Sequence, residues 1–546
     1  MALGPILAHE TVLACSGCSN KSFYHSSSLS KLVPHGCNYG YDVLIYVGKA
    51  VFLSCRDEKS IQNDLHQCGI LISRSEIGYL AKKFIIYLAI AHRQAQQVLV
   101  ERMSLSGGYI LHLDGTSEGG SPHLISALDG LSELVLKNIK VSTESAEQLI
   151  PFLKKIQKAY GNPIALVHDM SAPIIKAVST VFKNIPDFIC HFHFLRDIGK
   201  DLLGNDNDCI RKSLRKHGVQ TFLYNQLRKL KQEAENSEII VDSVLKAVEN
   251  NRAIVVDEKV PITLLLYLLF AWALEGKRQG GGYGFPFDKT YLCFFHRLER
   301  IYTIINRLNH DTITPVHQRK LLGKTWKKLY DITTDRKLKV AVMRMDKKAV
   351  VFDNLRKAMR IALPESKSGL NDEGQKEIAL IRKQLTSFRQ SFNADKLKQF
   401  PEYKNFVAQI DQYWDKLLAD PIVKKTPKGT TTIYPQRTNN ILEQFFRHFR
   451  SDNRRRTGNN SLTRLLKTML CDTPLAKNLE NEEYVSIICG TENSLEDRFA
   501  QIDHDIVRQE FKSGVRQNRS LSPKFKKVIA LNELPDKITE IISMRQ

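Results

Sequence analysis

The chain runs to 546 residues, more than one hydrophobic core ordinarily supports, so two to four structural units are expected, some of them discontinuous in sequence. Apolar residues at 42% and charged residues at 25% exclude a disordered or fibrous chain. Lysine and arginine outnumber aspartate and glutamate by 80 to 58, a formal charge of +22 that favours a polyanionic partner, nucleic acid ahead of an anionic membrane.

Residues 1–45 are rich in Ser, Gly, Cys and His, with little periodicity, and read as an irregular arm or a small metal-stapled module. The opening MALGPILAHE lacks the basic start and long apolar core of a secretory signal, which sets the expectation of a cytoplasmic, nucleoid-associated protein. Cys15-x2-Cys18 with His35 and Cys37 has the composition of a zinc site, although a single residue separates the second pair, against the usual knuckle spacing. The ten cysteines are otherwise sparse and irregular, which argues against a disulfide framework.

Residues 46–105 read as helical. KSIQNDLHQCGILISRSEIGYLAKKF predicts a short helix with Ile61 and Leu65 inward, a turn at Gly69 and a second helix from Ser73, with Glu76 completing a capping box. Two helices about a glycine turn outline a helix-turn-helix whose second helix carries Arg74, Lys82 and Lys83 toward DNA; a plain helical hairpin has the same pattern.

From residue 106, GYILHLDGTSEGGSPHLISALDGLSELVLKNIKV contains three β-rich runs parted by turn residues, an antiparallel meander. Ser145 and Gln148 form a capping box before a helix with Leu149, Leu153, Ile156 and Tyr160 on one face, ending at Gly161. A strand IALVHD, a helix from about Pro173 to Phe182 and a strand DFICHFHF complete the order β-β-β-α-β-α-β, that of an α/β ribonuclease-H-like core spanning 106–199.

Residues 200–430 turn helical and strongly charged and predict an all-α insertion domain. Its longest apolar run, Ile262 to Leu274, is too short to span a bilayer, so no membrane partner is expected. The glycines of RQGGGYGFPFD lack the preceding strand and the Lys-Ser/Thr of a phosphate loop, and read as a connection between helices. Residues 431–473 return to the core with a helix at ILEQFFRHFR, the basic segment SDNRRRTGNN and a helix at SLTRLLKTML. Residues 474–546 form a charged helical tail.

Asp114 ends the first strand and Asp169 the fourth, and in this topology those strands are parallel neighbours, which brings both carboxylates to one sheet edge. Two close carboxylates repel unless a cation lies between them, which points to Mg²⁺ or Mn²⁺ rather than zinc. Two such ions could clamp an in-line phosphodiester displacement, and a third acidic ligand would complete the site.

LHLDGT, ALVHDM, ICHFHFLRDIGKDL and TNNILEQFFRHFRSDNRRRTG resemble the motifs of prokaryotic insertion-sequence transposases of the DDE class. The resemblance implies Asp114, Asp169 and Glu443 as catalytic, metal-binding residues for two Mg²⁺ or Mn²⁺ ions. Cys190 and His193 match the C-x2-H signature of several such families, which implies that His193 approaches the scissile phosphate as a positioning or proton-sharing group. The long gap before Glu443 is similar to that of members with a helical insertion domain. The resemblance further implies binding of terminal inverted repeats, metal-dependent cleavage and strand transfer into target double-stranded DNA, by a homo-oligomer that pairs two ends, with no small-molecule substrate.

Simpler roles compete at each position. Asp169 before Ser-Ala-Pro could cap the next helix. Glu443 could complete a capping box with Asn440 while Leu442, Phe445, Phe446 and Phe449 form a buried stripe, and Glu275 and Glu299 are substitutes outside any such motif. As a strand, DFICHFHF puts Phe188, Cys190, Phe192 and Phe194 on one packed face; zinc held by Cys190, His191 and His193 is a further alternative. Arg447 and Arg450 share the Glu443 face, and Arg454, Arg455 and Arg456 are either a solvated run or holders of the DNA backbone. A domesticated, non-catalytic DNA-binding protein and a structure-selective nuclease are the alternative functions.

Overall fold

The structure is a computed structural model that describes residues 4–17, 23–24, 26–34, 36–236, 238–250, 262–276, 280–309, 316–363, 378–427, 429–517, 528 and 531–543. The chain forms two compact units, Met1–Phe188 with Asp420–Gln546, and Ile189–Ala419.

The first unit is built on a five-stranded mixed sheet. Its strands are β1 (Ile110–Thr116), β2 (His123–Asp129), β3 (Val135–Val141), β4 (Ala165–His168) and β5 (Asp187–Ile189), in the order β3-β2-β1-β4-β5. The first three form the expected antiparallel meander, and β4 runs parallel to β1. Period-two alternation sends Leu111, Leu113, Ile125 and Ala127 to one side. There they pack against Leu149, Phe152 and Ile156 of the Ala146–Tyr160 helix and Ile174 and Val178 of the Ala172–Val181 helix. Ser145 is the N-cap of the Ala146–Tyr160 helix by backbone position only; its hydroxyl makes no capping bond, so the expected box with Gln148 does not form.

The other side of the sheet is covered by the returning chain. Ile110, Ala165 and Val167 meet Ile433, and Leu124 meets Leu462, Leu466 and Met469. Ile433 ends an antiparallel hairpin, β6 (Ile422–Thr426) and β7 (Gly429–Ile433), which begins inside the stretch expected to be helical. Its residues are Lys- and Thr-rich and mostly exposed, so they carry no apolar alternation that would mark a strand.

A second core in this unit surrounds the Arg74–Gln94 helix, in which Ile77, Leu80, Phe84, Tyr87, Leu88 and Ala91 are all buried. Ser73 caps it, its hydroxyl accepting from the Glu76 N–H at 3.2 Å. The neighbouring Tyr41–Phe52 helix contributes Leu44, Ile45 and Val47, while Tyr484, Ile488, Leu495 and Phe499 come from beyond residue 480. Tyr87 stacks on Phe499 with centroids 5.3 Å apart. The N-terminal helical region and the charged tail therefore share one hydrophobic core, because the tail's apolar residues recur at helical spacing and must be buried against something.

The second unit is helical, with long elements at His191–Lys216, Val219–Glu235, Ile262–Glu275, Thr290–Asn309, Val316–Thr333 and Arg336–Met359. Its apolar Ile262–Glu275 helix buries Leu264, Leu266 and Phe270; no helix among the described residues is long and apolar enough to cross a membrane. Buried Asp206 joins two of the helices by accepting from Lys348 Nζ at 2.8 Å and lying 3.0 Å from Arg344. A buried carboxylate needs such partners to remain charged.

Candidate active site

β1 places Leu111 and Leu113 on the helix-covered side, so His112 and Asp114 face the returning chain. Leu113 pairs with His168 in the parallel register, so Asp114 and Asp169 occupy the next positions along the two strands; Asp169 follows the end of β4, whereas Asp114 lies inside β1, which continues to Thr116 rather than ending at the aspartate as expected. Asp114 is buried and one of its oxygens accepts from the Gly115 N–H at 2.7 Å. Asp169 Oδ1 accepts from the Ser171 N–H at 3.0 Å, a turn bond before the helix; the N-cap of the Ala172–Val181 helix is Ser171, so Asp169 does not cap it.

Glu443 lies in the first turn of the Asn440–Thr457 helix, with its Oε1 buried. The N-cap is Asn439, and the Glu443 N–H donates to the Asn439 carbonyl at 3.0 Å; the capping box with Asn440 is replaced by this register. Fully buried Asn439 ties the helix to β1. Its Nδ2 donates to the Leu113 carbonyl at 2.8 Å, which leaves its Oδ1 to accept from His112 Nδ1, also at 2.8 Å. Neutral His112 therefore carries its proton on Nδ1, and burial pushes its pKa down to about 4.

Burial raises the Asp114 carboxyl well above the ordinary carboxylate range, and the charge of Asp169 adds to it, followed by those of Glu443 and Glu144. The three acidic residues expected from the sequence thus share one electrostatic site. Glu144 is a fourth carboxylate that the sequence reading misses, because it sits in a Ser- and Thr-rich turn that reads as a helix cap. Its oxygens meet the Ser171 hydroxyl, which donates to it, and His123 Nδ1 at 3.9 Å. Oxygen ligands of this kind suit a hard divalent cation, but among the described residues no three of these carboxylates bring their oxygens within 4.8 Å of one another.

The basic residues are distributed unevenly. Arg447, Arg450, Arg454 and Arg455 are exposed on the glutamate helix, and Arg456 is half-buried. That helix runs through Thr457 to Gly458, so the basic run is helical rather than a loop; Gly458 ends it with φ +70°. Arg74 and Lys82 are exposed on the Arg74–Gln94 helix, but Lys83 is 4% exposed and donates to Cys37 Sγ at 3.0 Å, which removes it from any DNA-facing set. This helix is wrapped by core on nearly all sides, so a lysine on it need not face water.

Cys18 and His35 lie outside the described residues, and Cys37 is engaged by Lys83. Cys190 and His193 belong to the second unit. β5 stops at Ile189 and a helix starts at His191, so Cys190 is a helix N-cap rather than a strand residue, and the expected one-face alternation does not occur. His191 Nε2 lies 2.6 Å from the Leu417 carbonyl, and burial pushes the His193 pKa down to about 4. Glu275 and Glu299 are also in the second unit.

No protein-family model matches the chain, and no curated protein is similar to it.

Proposed function

We propose that the chain is a DNA transposase of the DDE class, with a ribonuclease-H-like core that cleaves DNA at terminal inverted repeats and transfers the ends to a target. One observation supports this above the others: the buried carboxyl of Asp114 feels the charges of Asp169 and Glu443, which come from a neighbouring parallel strand and from a helix far along the chain. Two bound Mg²⁺ or Mn²⁺ ions would supply the chemistry of activating water or a 3′-hydroxyl and stabilising the leaving oxygen. Asp114, Asp169 and Glu443, with Glu144 beside them, would hold those ions. Asn439 keeps Glu443 in register with β1, and exposed Arg447, Arg450, Arg454 and Arg455 suit the phosphate backbone.

The test is cleavage of duplexes carrying the DNA that flanks this reading frame, with Mg²⁺ or Mn²⁺. Nicking at a repeat end followed by joining of the 3′-hydroxyl is the expected result, reduced about a thousandfold or more in Asp114→Asn, Asp169→Asn and Glu443→Gln. Equal cleavage in EDTA, or full cleavage by any of the three variants, would sink the proposal. Hydrolysed ends that are never joined would favour a structure-selective nuclease.

A further inference from the structure

The β6–β7 hairpin is a two-stranded sheet of its own, with five residue pairs from Ile422↔Ile433 to Thr426↔Gly429. Its end residues, Ile422 and Ile433, pack onto the core beneath, against Ile110, Ala165 and Val167. Alternation gives the hairpin two faces. A Cβ added to Gly107 would lie 3.1 Å from Ile433 Cδ1, 3.2 Å from Lys424 Cβ and 3.5 Å from Thr426 Cγ2, so that face rests on the chain entering β1. The opposite face carries Val423, Lys425, Thr430 and Thr432, all of them exposed, Val423 to 62%.

A two-stranded ribbon with water on its outer face is marginally stable by itself, so packing does not account for Val423 and the threonines on that face. Their β-branched side chains stiffen the strands, and the Thr426 hydroxyl closes the turn by donating to the Gly429 carbonyl at 2.9 Å. Residues 422–433 contain three lysines and no carboxylate, and among the described residues no ion pair takes up Lys424 or Lys425. Charge therefore selects a polyanion, and shape selects among polyanions. Strands of this length span about 17 Å. A two-stranded ribbon enters the major groove of B-form DNA, about 12 Å wide, whereas the deep, narrow major groove of duplex RNA excludes it.

We propose that this ribbon is a docking element for duplex DNA, seated with its outer face in the major groove. Val423, Thr430 and Thr432 turn methyl and hydroxyl groups to the base edges, and Lys424 and Lys425 reach the phosphates at the rim of the groove. This role rests on DNA being the substrate proposed above, and is separate from the chemistry of the carboxylates.

Fluorescence anisotropy of a labelled duplex of the flanking DNA, titrated with the full chain in EDTA, tests this. Lys424→Gln/Lys425→Gln is expected to bind about tenfold more weakly at low salt, with a salt slope smaller by about two, the loss of two phosphate contacts. Thr430→Glu, a single change at the exposed position opposite Lys425, is expected to lose affinity to a similar extent. On a duplex whose major groove is filled by glucosylated hydroxymethylcytosine, the wild type and both variants should bind alike, because the ribbon no longer enters. Unchanged affinity of both variants for the plain duplex, an equal loss on the filled duplex, or an equal loss on duplex RNA of the same sequence would overturn the assignment; the last would mark a general polyanion surface. Binding in EDTA requires no cleavage, so ribbon-dependent binding by a chain that never cuts DNA would uphold this role while removing the catalytic one. Metal-dependent cutting with both ribbon variants binding like the wild type would remove the ribbon's role alone.

Discussion

His112 Nδ1 and Asn439 Oδ1 lie 2.8 Å apart, joining the strand that carries Asp114 to the helix that carries Glu443. The same asparagine donates to the Leu113 carbonyl, so both of its amide atoms are committed to β1. Through this one residue the helix start is placed against the strand, and with it the third carboxylate.

Asn439→Ala removes both bonds and strands a buried N–H of His112 and a buried carbonyl of Leu113. Each stranded group costs about 1–3 kcal/mol, so a lower urea midpoint is expected. Metal-dependent DNA cleavage should fall further than the stability loss explains, while DNA binding by the exposed arginines persists. Cleavage unchanged at a temperature where the variant is folded would show that Asn439 does not position Glu443.

A Cβ on Gly130 would lie 2.5 Å from His112 Nε2 and 2.6 Å from its Cδ2. The ring cannot retreat without breaking its bond to Asn439, so Gly130→Ala is expected to destabilise by about 1–3 kcal/mol, the usual cost of overpacking. Combining it with His112→Ala removes the clash, and the two substitutions should then cost less together than the sum of the single changes. Strict additivity in that cycle would place the glycine's role elsewhere.

Asp114 and Asp169 are legible in the sequence because each closes a short apolar run, and adjacent parallel strands bring such ends together. The Glu443 helix is legible as a helix, but its start is set by Asn439 reaching back to β1, a contact across most of the chain that no local pattern carries. Glu144 is hidden because a carboxylate in a polar turn looks like a cap. The aromatic run after Ile189 fits a strand by alternation, yet His191, Phe194, Leu195 and Ile198 are buried at helical spacing, and only the packing decides between the two periods. The joint core of the Arg74–Gln94 helix with residues beyond 480 is invisible for the same reason: amphipathic faces show what must be buried, not against which partner.

His92 is 3% exposed, with Nδ1 2.9 Å from the Tyr484 hydroxyl and Nε2 2.8 Å from that of Tyr160, and burial lowers its pKa to about 4. A histidine depressed in this way favours the fold in its neutral form. Its contribution is therefore complete above the unfolded value near 6.5 and is lost as pH falls from there to about 4, a swing of about 3 kcal/mol. Urea midpoints measured across that window should drop steeply for the wild type. His92→Gln, which keeps a hydrogen-bonding group without titrating, is expected to be less stable at pH 7 but to show a slope shallower by about one proton. An unchanged slope would mean that other groups carry the acid sensitivity.

Asp114 is buried against like charges, so at neutral pH it is either protonated or a source of repulsion until a cation enters. Asparagine at this position has nearly the same shape and can still accept the Gly115 N–H, but it removes one of the crowded charges. Asp114→Asn is therefore expected to melt above the wild type in EDTA. Mn²⁺ should reverse the ranking: a metal at a hundred times its dissociation constant stabilises the wild type by about 2.7 kcal/mol, whereas the variant gains much less. Glu144→Gln should behave in the same direction with a smaller gain, since its charge is the weakest of the contributions at Asp114. Scanning fluorimetry with and without Mn²⁺ reads both effects. If the wild type and Asp114→Asn respond equally to the metal, the cation is bound elsewhere, and the carboxylates are held together by protonation alone.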